Sequence, residues 1–190
     1  MAKVLIPLAK GFEEIEAVSI IDVLRRAGIE VILASVSSDN LTVTGANQIN
    51  INTDIFLSSI QNTDINLFDM IVLPGGWGGT NVLSTDLHTQ NLIKEFNRND
   101  KFVGAICAAP FALYKAGVLK EVFTCYPSVE EKIDQEILYR SDSQVIIDHK
   151  IVTSRGPGTA ICFGLEIVAI LVGDETKQTL KNGLLADYCK

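Results

Sequence analysis

The feature that most constrains this chain is the alternation of two hydrophobic periods at its start. Lys3–Leu8 is a short aliphatic run of strand length. Glu13–Ala27 then repeats apolar residues at helical spacing, with Ala17, Val18, Ile21 and Leu24 on one stripe and Gly28 as a stop. Ile29–Val36 is a second aliphatic run. Strand, helix and strand in succession make a β-α-β unit, whose strands pair in parallel through a right-handed crossover. The alternation continues downstream. Asp69–Leu73 and Phe102–Ile106 read as buried strands, with an amphipathic helix over Leu87–Asn97 between them. Asn40–Asn52 reads as short alternating strands or a hairpin that could form a sheet edge, and Val122–Thr124 as a short strand. Gln144–Ile147 and Ile151–Thr153 make a hairpin, and a last helix follows Gly158 and runs to Val172. With no repeat, linker or low-complexity tract, the expectation is one α/β domain over residues 1–190, a doubly wound sandwich.

Composition narrows the classes of function. Sixteen Lys and Arg against 23 Asp and Glu leave a net charge of −7, which opposes the phosphate backbone and argues against nucleic acid as a partner. The apolar run at the start ends before Lys10 and three glutamates, too short for a signal peptide, and Ala160–Val172 is too short to span a bilayer. Four cysteines, at 107, 125, 162 and 189, form no CxxC pair, so reduced thiols in a cytoplasm are expected. Only His88 and His149 could join them at a metal, and neither is close in sequence, so no metal site is expected.

In an open parallel sheet the ligand crevice lies beyond the carboxyl ends of the strands. Three such ends carry chemistry here: Lys10–Glu16, the run Gly75–Gly79, and the turn Gly104–Pro110. Cys107 sits between a buried strand and a helix, flanked by small residues that permit a tight elbow. There the free N–H groups of a helix start are expected to lower the thiol pKa and make the thiolate a nucleophile. Cys162 in an apolar helix and Cys189 at the terminus read as structural, and Cys125 as intermediate, ending a strand that faces the same crevice. The glycine run fits neither a P-loop nor a dinucleotide fingerprint. Gly75, Gly76 and the amide of Ala108 are instead candidate donors to a substrate oxyanion. Glu13 and Glu14 read as acids that oppose the helix dipole. Glu16, at the start of the apolar stripe, is expected to face the crevice, stay protonated beside a thiolate, and shuttle protons.

Four motifs in order, LAKGFEEIEAV, VLPGG, AICAAP and TSRGPGTA, resemble the ThiJ/PfpI superfamily, in the branch of the parkinsonism-associated deglycase, over nearly the whole chain. The resemblance implies a flavodoxin-like sandwich with a mostly parallel central sheet, a homodimer, and no metal or organic cofactor. It implies that Glu16 is a protonated glutamate, Cys107 a reactive and oxidisable cysteine, and Gly75, Gly76 and Ala108 backbone donors. Ser154, Arg155, Gly156 and Pro157 then line the pocket near the cysteine. Tyr126 stands where several relatives carry a histidine, and Ala108 where protease-like members carry one. His149, in a hairpin turn, and His88, before a surface helix, are no substitutes.

The resulting functional expectation is a cysteine-dependent carbonyl-stress protein of glyoxalase III or deglycase type, acting on α-oxoaldehydes such as methylglyoxal or on early glycation products. The alternative is a redox sensor or redox-regulated chaperone working through Cys107 oxidation. A cysteine amidase or peptidase is weaker, because no histidine base accompanies the nucleophile. The helix after Gly158 is apolar nearly all round and needs cover on both sides. The sheet covers one side, and the family resemblance favours a second subunit over a neighbouring helix for the other.

Overall fold

The computed structural model describes residues 1–190. Strand β1 (Lys3–Leu8) is followed by helix α1 (Glu14–Arg26) and strand β2 (Glu30–Ser35). A short hairpin, β3 (Thr42–Thr44) and β4 (Asn50–Asn52), precedes β5 (Ile55–Phe56) and β6 (Met70–Leu73). Helices α2 (Trp77–Thr85) and α3 (Leu87–Arg98) lead to β7 (Phe102–Ile106), and α4 (Pro110–Lys115) follows the elbow. Then come β8 (Val122–Phe123), β9 (Leu138–Tyr139), β10 (Val145–Asp148), β11 (Ile151–Ser154), α5 (Ala160–Leu171) and α6 (Asp174–Gly183).

Seven strands form the central sheet in the order β10-β11-β7-β6-β1-β2-β5, parallel throughout except for the β10-β11 hairpin. Ile106 pairs with Ser154 and Leu73 with Ala105, so β6, β7 and β11 end close together and deliver Gly75, Cys107 and Arg155 to one rim. The central strands are aliphatic because both faces are covered, as parallel sheets require. Val4, Leu5, Ile6, Ile71, Val72 and Val103 are all fully buried, each such side chain contributing roughly 1.5–3 kcal/mol of burial. No helix is long and apolar enough to cross a membrane.

Several expectations are corrected. The hairpin within Asn40–Asn52 forms, but as a separate two-stranded sheet; β5 is the edge of the main one. Within the glycine run Gly76 caps α2, which starts at Trp77, a helix the sequence pattern does not show. Val18 points outward and is half exposed, while Ile20 and Val23 complete the buried stripe of α1. Glu14 is not a dipole acid in water. It is buried, and its carboxylate accepts the N–H of Asn47 at 2.5 Å and the side-chain amide of Asn47 at 3.1 Å, tying the hairpin to α1. Glu13 caps the helix, accepting the Glu16 N–H at 2.7 Å.

The largest correction concerns the thiols. Cys162 and Cys189 are joined in a disulfide across a sequence separation of 27, so only Cys107 and Cys125 are free. The unforeseen helix α6 makes this possible by turning the tail back onto α5. In the chain-entropy model a loop of this length stabilises by about 3–4 kcal/mol. The apolar helix α5 is covered from within the chain, packing on α1 and α6 as well as on β10 and β11, so it requires no second subunit.

Contact between α1 and α5 is close at Gly164, where a Cβ would lie 3.0 Å from Val23. Gly164→Val is expected to destabilise the fold by about 1–3 kcal/mol through overpacking, read as a lower urea midpoint. An unchanged midpoint would show that the two helices have room to part.

Candidate active site

Chain geometry at Cys107 is that of a strained elbow. Its φ is +65°, in the left-handed region that residues with a Cβ seldom occupy. The Cys107 N–H donates to the Ser154 carbonyl at 3.0 Å, and its own carbonyl accepts the Tyr126 N–H at 2.9 Å. These two bonds hold the strained residue between β11 and the segment after β8. The side chain is only 8% exposed.

Glu16 comes from the third position of α1 and is fully buried. Its Oε2 accepts the Gly75 N–H at 2.8 Å, while Oε1 has no hydrogen-bond partner. Burial pushes its pKa up to about 7, with the Cys107 interaction and the Gly75 N–H working against that rise and Glu13 adding to it. An ionised Glu16 would leave a buried oxygen bare, whereas a protonated one carries a donor beside the Cys107 sulfur. Gly75 must be glycine for this arrangement: a Cβ there would lie 2.6 Å from the Cys107 Cβ and 2.7 Å from Glu16 Oε2.

The expectation of a lowered thiol pKa at Cys107 is overturned. Burial, then the charge of Glu16 and its hydrogen bond, hold the thiol above its ordinary range, and the amides of Gly76 and Ala108 only partly oppose them. The following helix has six residues, too short to supply the field expected of a full helix start. Glu16 and Cys107 therefore titrate as a coupled pair, in which a charge on either disfavours a charge on the other.

The predicted donors separate. Gly76 and Ala108 present their amides to the sulfur, but the Gly75 N–H is already given to Glu16. Tyr126, Arg155, Gly156 and Pro157 line a cavity of about 190 Å³ with Pro127, Gly158 and Thr159. Tyr126 packs over Gly156, where a Cβ would meet its ring at 3.1 Å. Ser154 does not line this cavity. It is fully buried, with Oγ bonded to the Gln144 carbonyl at 2.8 Å and to Thr159 Oγ1 at 2.8 Å. Gln144 and Thr159 are supporting residues that the sequence reading passed over; Thr159 lay inside the TSRGPGTA motif without an assigned role. Cys125 is buried, with its sulfur 3.8 Å from Glu130 Oε2. His149 is exposed in the β10-β11 turn, and His88, in the first turn of α3, reaches the Leu57 carbonyl at 3.0 Å. No group of three or more His, Cys, Asp or Glu side chains is placed to hold a metal ion.

A parallel sheet whose rim carries a left-handed cysteine, a buried glutamate and a glycine between them defines a class of α/β proteins with a cysteine elbow. The DJ-1/PfpI family model matches residues 2–170, and the chain belongs to that family. It is 37% identical to the protein dj-1beta of Drosophila melanogaster over 97% of both chains. It is 34% identical to the glutathione-independent glyoxalase DJR-1.2 of Caenorhabditis elegans, over 96% of this chain and 95% of that protein. The crystal structure of Drosophila DJ-1beta superposes with a TM-score of 0.91 over 97% of each chain.

The proton on Glu16 has a thermodynamic signature. Its folded pKa of about 7 lies above its ordinary value of 4.5, so the folded state binds the extra proton and the group's contribution to stability is full below about pH 4.5 and lost as pH rises through 7. Over that window wild type should lose about 3 kcal/mol relative to Glu16→Gln, measured by urea unfolding at several pH values. A stability difference that stays constant with pH would mean that Glu16 is ionised in the folded protein.

Proposed function

We propose that the protein is a cofactor-independent enzyme of glyoxalase III or deglycase type, with Cys107 as nucleophile and Glu16 as proton shuttle. The observation that carries this reading is the buried Glu16 carboxyl, fixed by the Gly75 N–H beside the only free thiol at the rim. In this mechanism the Glu16 carboxylate takes the Cys107 thiol proton as the sulfur adds to the aldehyde carbon of an α-oxoaldehyde, and passes it to the new oxyanion, giving a hemithioacetal. The carboxylate then moves the proton of that carbon to the neighbouring carbonyl carbon, while the hemithioacetal hydroxyl proton passes to the neighbouring oxygen, leaving the thioester of a hydroxy acid. Water hydrolyses the thioester and frees the thiol, so methylglyoxal plus water becomes lactate. Gly76 and Ala108 are the donors for the oxyanion, and Tyr126, Arg155, Gly156 and Pro157 line a neighbouring cavity whose lining does not include Cys107 or Glu16. The same addition at a glycated group is the deglycase form of the reaction. A relative named as a glutathione-independent glyoxalase supports this choice among reactions.

Methylglyoxal conversion to lactate by the purified protein tests the proposal. Cys107→Ser should abolish it, and Glu16→Gln should lower kcat at least about 100-fold, as expected for loss of a general acid and base. Full activity in Glu16→Gln would remove the shuttle from the mechanism.

One observation favours a redox reading beside it. The protonated carboxyl of Glu16 and the amides of Gly76 and Ala108 surround the sulfur with donors suited to a sulfinate. Oxidation of Cys107 by stoichiometric peroxide, without carbonyl turnover, would make the sensor role primary. A cytoplasmic location belongs to both readings.

The homodimer also remains a proposal, now on different grounds. Ile15 and Val18 on α1 and Ile49 beside β4 are all more than 45% exposed, and the Glu14 clamp holds the hairpin against α1. Light scattering at micromolar concentration should give twice the 20.7 kDa of one chain, falling toward that mass in Val18→Asp. A wild-type mass of one chain refutes the dimer.

A further inference from the structure

We propose that Cys162 and Cys189 form a second redox site, a disulfide latch whose opening by a dithiol reductant frees the C-terminal tail and is felt at the Cys107 elbow. The first observation is how little apolar burial holds the tail, beside the ion pair of Lys177 with Glu166 and the bond from Lys181 Nζ to the Cys189 carbonyl. Helix α6 has no buried residue, and beyond it only Ala186 and Cys189 are buried, while Leu185 is 81% exposed. Local opening of such a segment is far less costly than global unfolding, which gives a reductant access to two sulfurs that are buried in the closed form.

The second observation is the path from the latch to the elbow. Gln144, beside the edge strand β10, grips the tail with both ends of its amide: Nε2 donates to the Tyr188 carbonyl at 3.0 Å, and Oε1 accepts the Lys190 N–H at 3.1 Å. The backbone carbonyl of the same Gln144 accepts the Ser154 hydroxyl at 2.8 Å, and the Ser154 carbonyl accepts the Cys107 N–H at 3.0 Å. Three successive hydrogen-bonded links, through Gln144 and Ser154, thus join the tail to the nucleophile. A third observation is space: a cavity of about 380 Å³, lined by Asp142, Gln144, Val145, Cys162, Glu166 and Lys190 among others, lies against the disulfide and leaves room for Gln144 to move.

The redox step is thiol–disulfide exchange. One thiolate of the reductant attacks a sulfur of the pair, the Cys162–Cys189 bond breaks, and the second reductant thiol resolves the mixed disulfide. Two electrons and two protons pass to the protein, which leaves with two thiols, and the reductant leaves as a disulfide. In a reducing compartment a disulfide of this kind is the transient or sensing sort rather than a permanent staple. Opening releases Gln144, loosens the Ser154 carbonyl and hydrates the buried elbow.

The test uses the full chain and no carbonyl substrate, so it is independent of the proposed reaction. Non-reducing tryptic mapping of air-oxidised protein should show the Cys162 and Cys189 peptides linked. In graded dithiothreitol buffers the link should disappear in one two-electron transition, with hydrogen exchange over residues 184–190 rising about tenfold as the tail opens locally. The Cys162→Ser/Cys189→Ser variant should have the fast-exchanging tail without reductant, and its Cys107 should react with iodoacetamide about threefold faster than in the oxidised wild type, as a less buried thiol does. If that variant does not fold, the rate is read instead on dithiothreitol-treated wild type after desalting. Free Cys162 and Cys189 in oxidised protein would overturn the proposal, as would a Cys107 rate that is the same with the latch open and closed.

Discussion

The hydrogen bond from the Gly75 N–H to Glu16 Oε2 is the interaction on which the site depends. It places a carboxyl with zero exposure against a nearly buried sulfur, in surroundings where two negative charges cannot coexist. Because only one oxygen of Glu16 is satisfied, the other is left for a proton. Burial raises the pKa of both groups and a charge on one disfavours a charge on the other, and the proposed chemistry depends on that coupling.

Much of the fold serves to bring these groups together. The parallel register stops β6, β7 and β11 at one rim, α1 carries Glu16 in from the opposite side of the sheet order, and Glu13 caps that helix by accepting the Glu16 N–H. Glycine at 75 allows three chain segments to approach where no side chain fits. The left-handed backbone of Cys107 is sustained by Ser154 and Tyr126, whose bonds come from neighbouring segments rather than from the elbow itself. The outer face is held more loosely: the tail after α5 depends on a disulfide, one glutamine, the Lys177–Glu166 ion pair, a bond from Lys181 to the Cys189 carbonyl and a few partly buried aliphatic side chains.

The residues at the centre were legible in the sequence because local constraints mark them. Small residues around Cys107 signal an elbow, a glycine pair after an aliphatic strand signals close approach, and Glu16 interrupts an apolar stripe. What was not legible depends on distant parts of the chain. The Cys162–Cys189 bond needs α6 to reverse the chain, and α6 is polar and has no buried residue, so hydropathy gives little sign of it. Glu14 looks like an ordinary dipole acid until Asn47 is folded onto it, 33 residues further along. The thiol pKa was misjudged because a helix start was weighed against no burial; the real helix is short and the sulfur is nearly enclosed. Cover for α5 comes from α1 and from α6, a helix beyond the last apolar stretch, rather than from a second subunit.

The account rests on a protonated Glu16 beside Cys107. Infrared difference spectroscopy of wild type against Glu16→Gln reads that proton directly, through the carbonyl stretch of a neutral carboxylic acid. At pH 6 the band should be present in wild type, absent from Glu16→Gln, and should fade as pH rises through about 7, where the buried carboxyl titrates. A wild-type spectrum at pH 6 showing only carboxylate bands for Glu16 would contradict the protonated Glu16 and the proposal built on it.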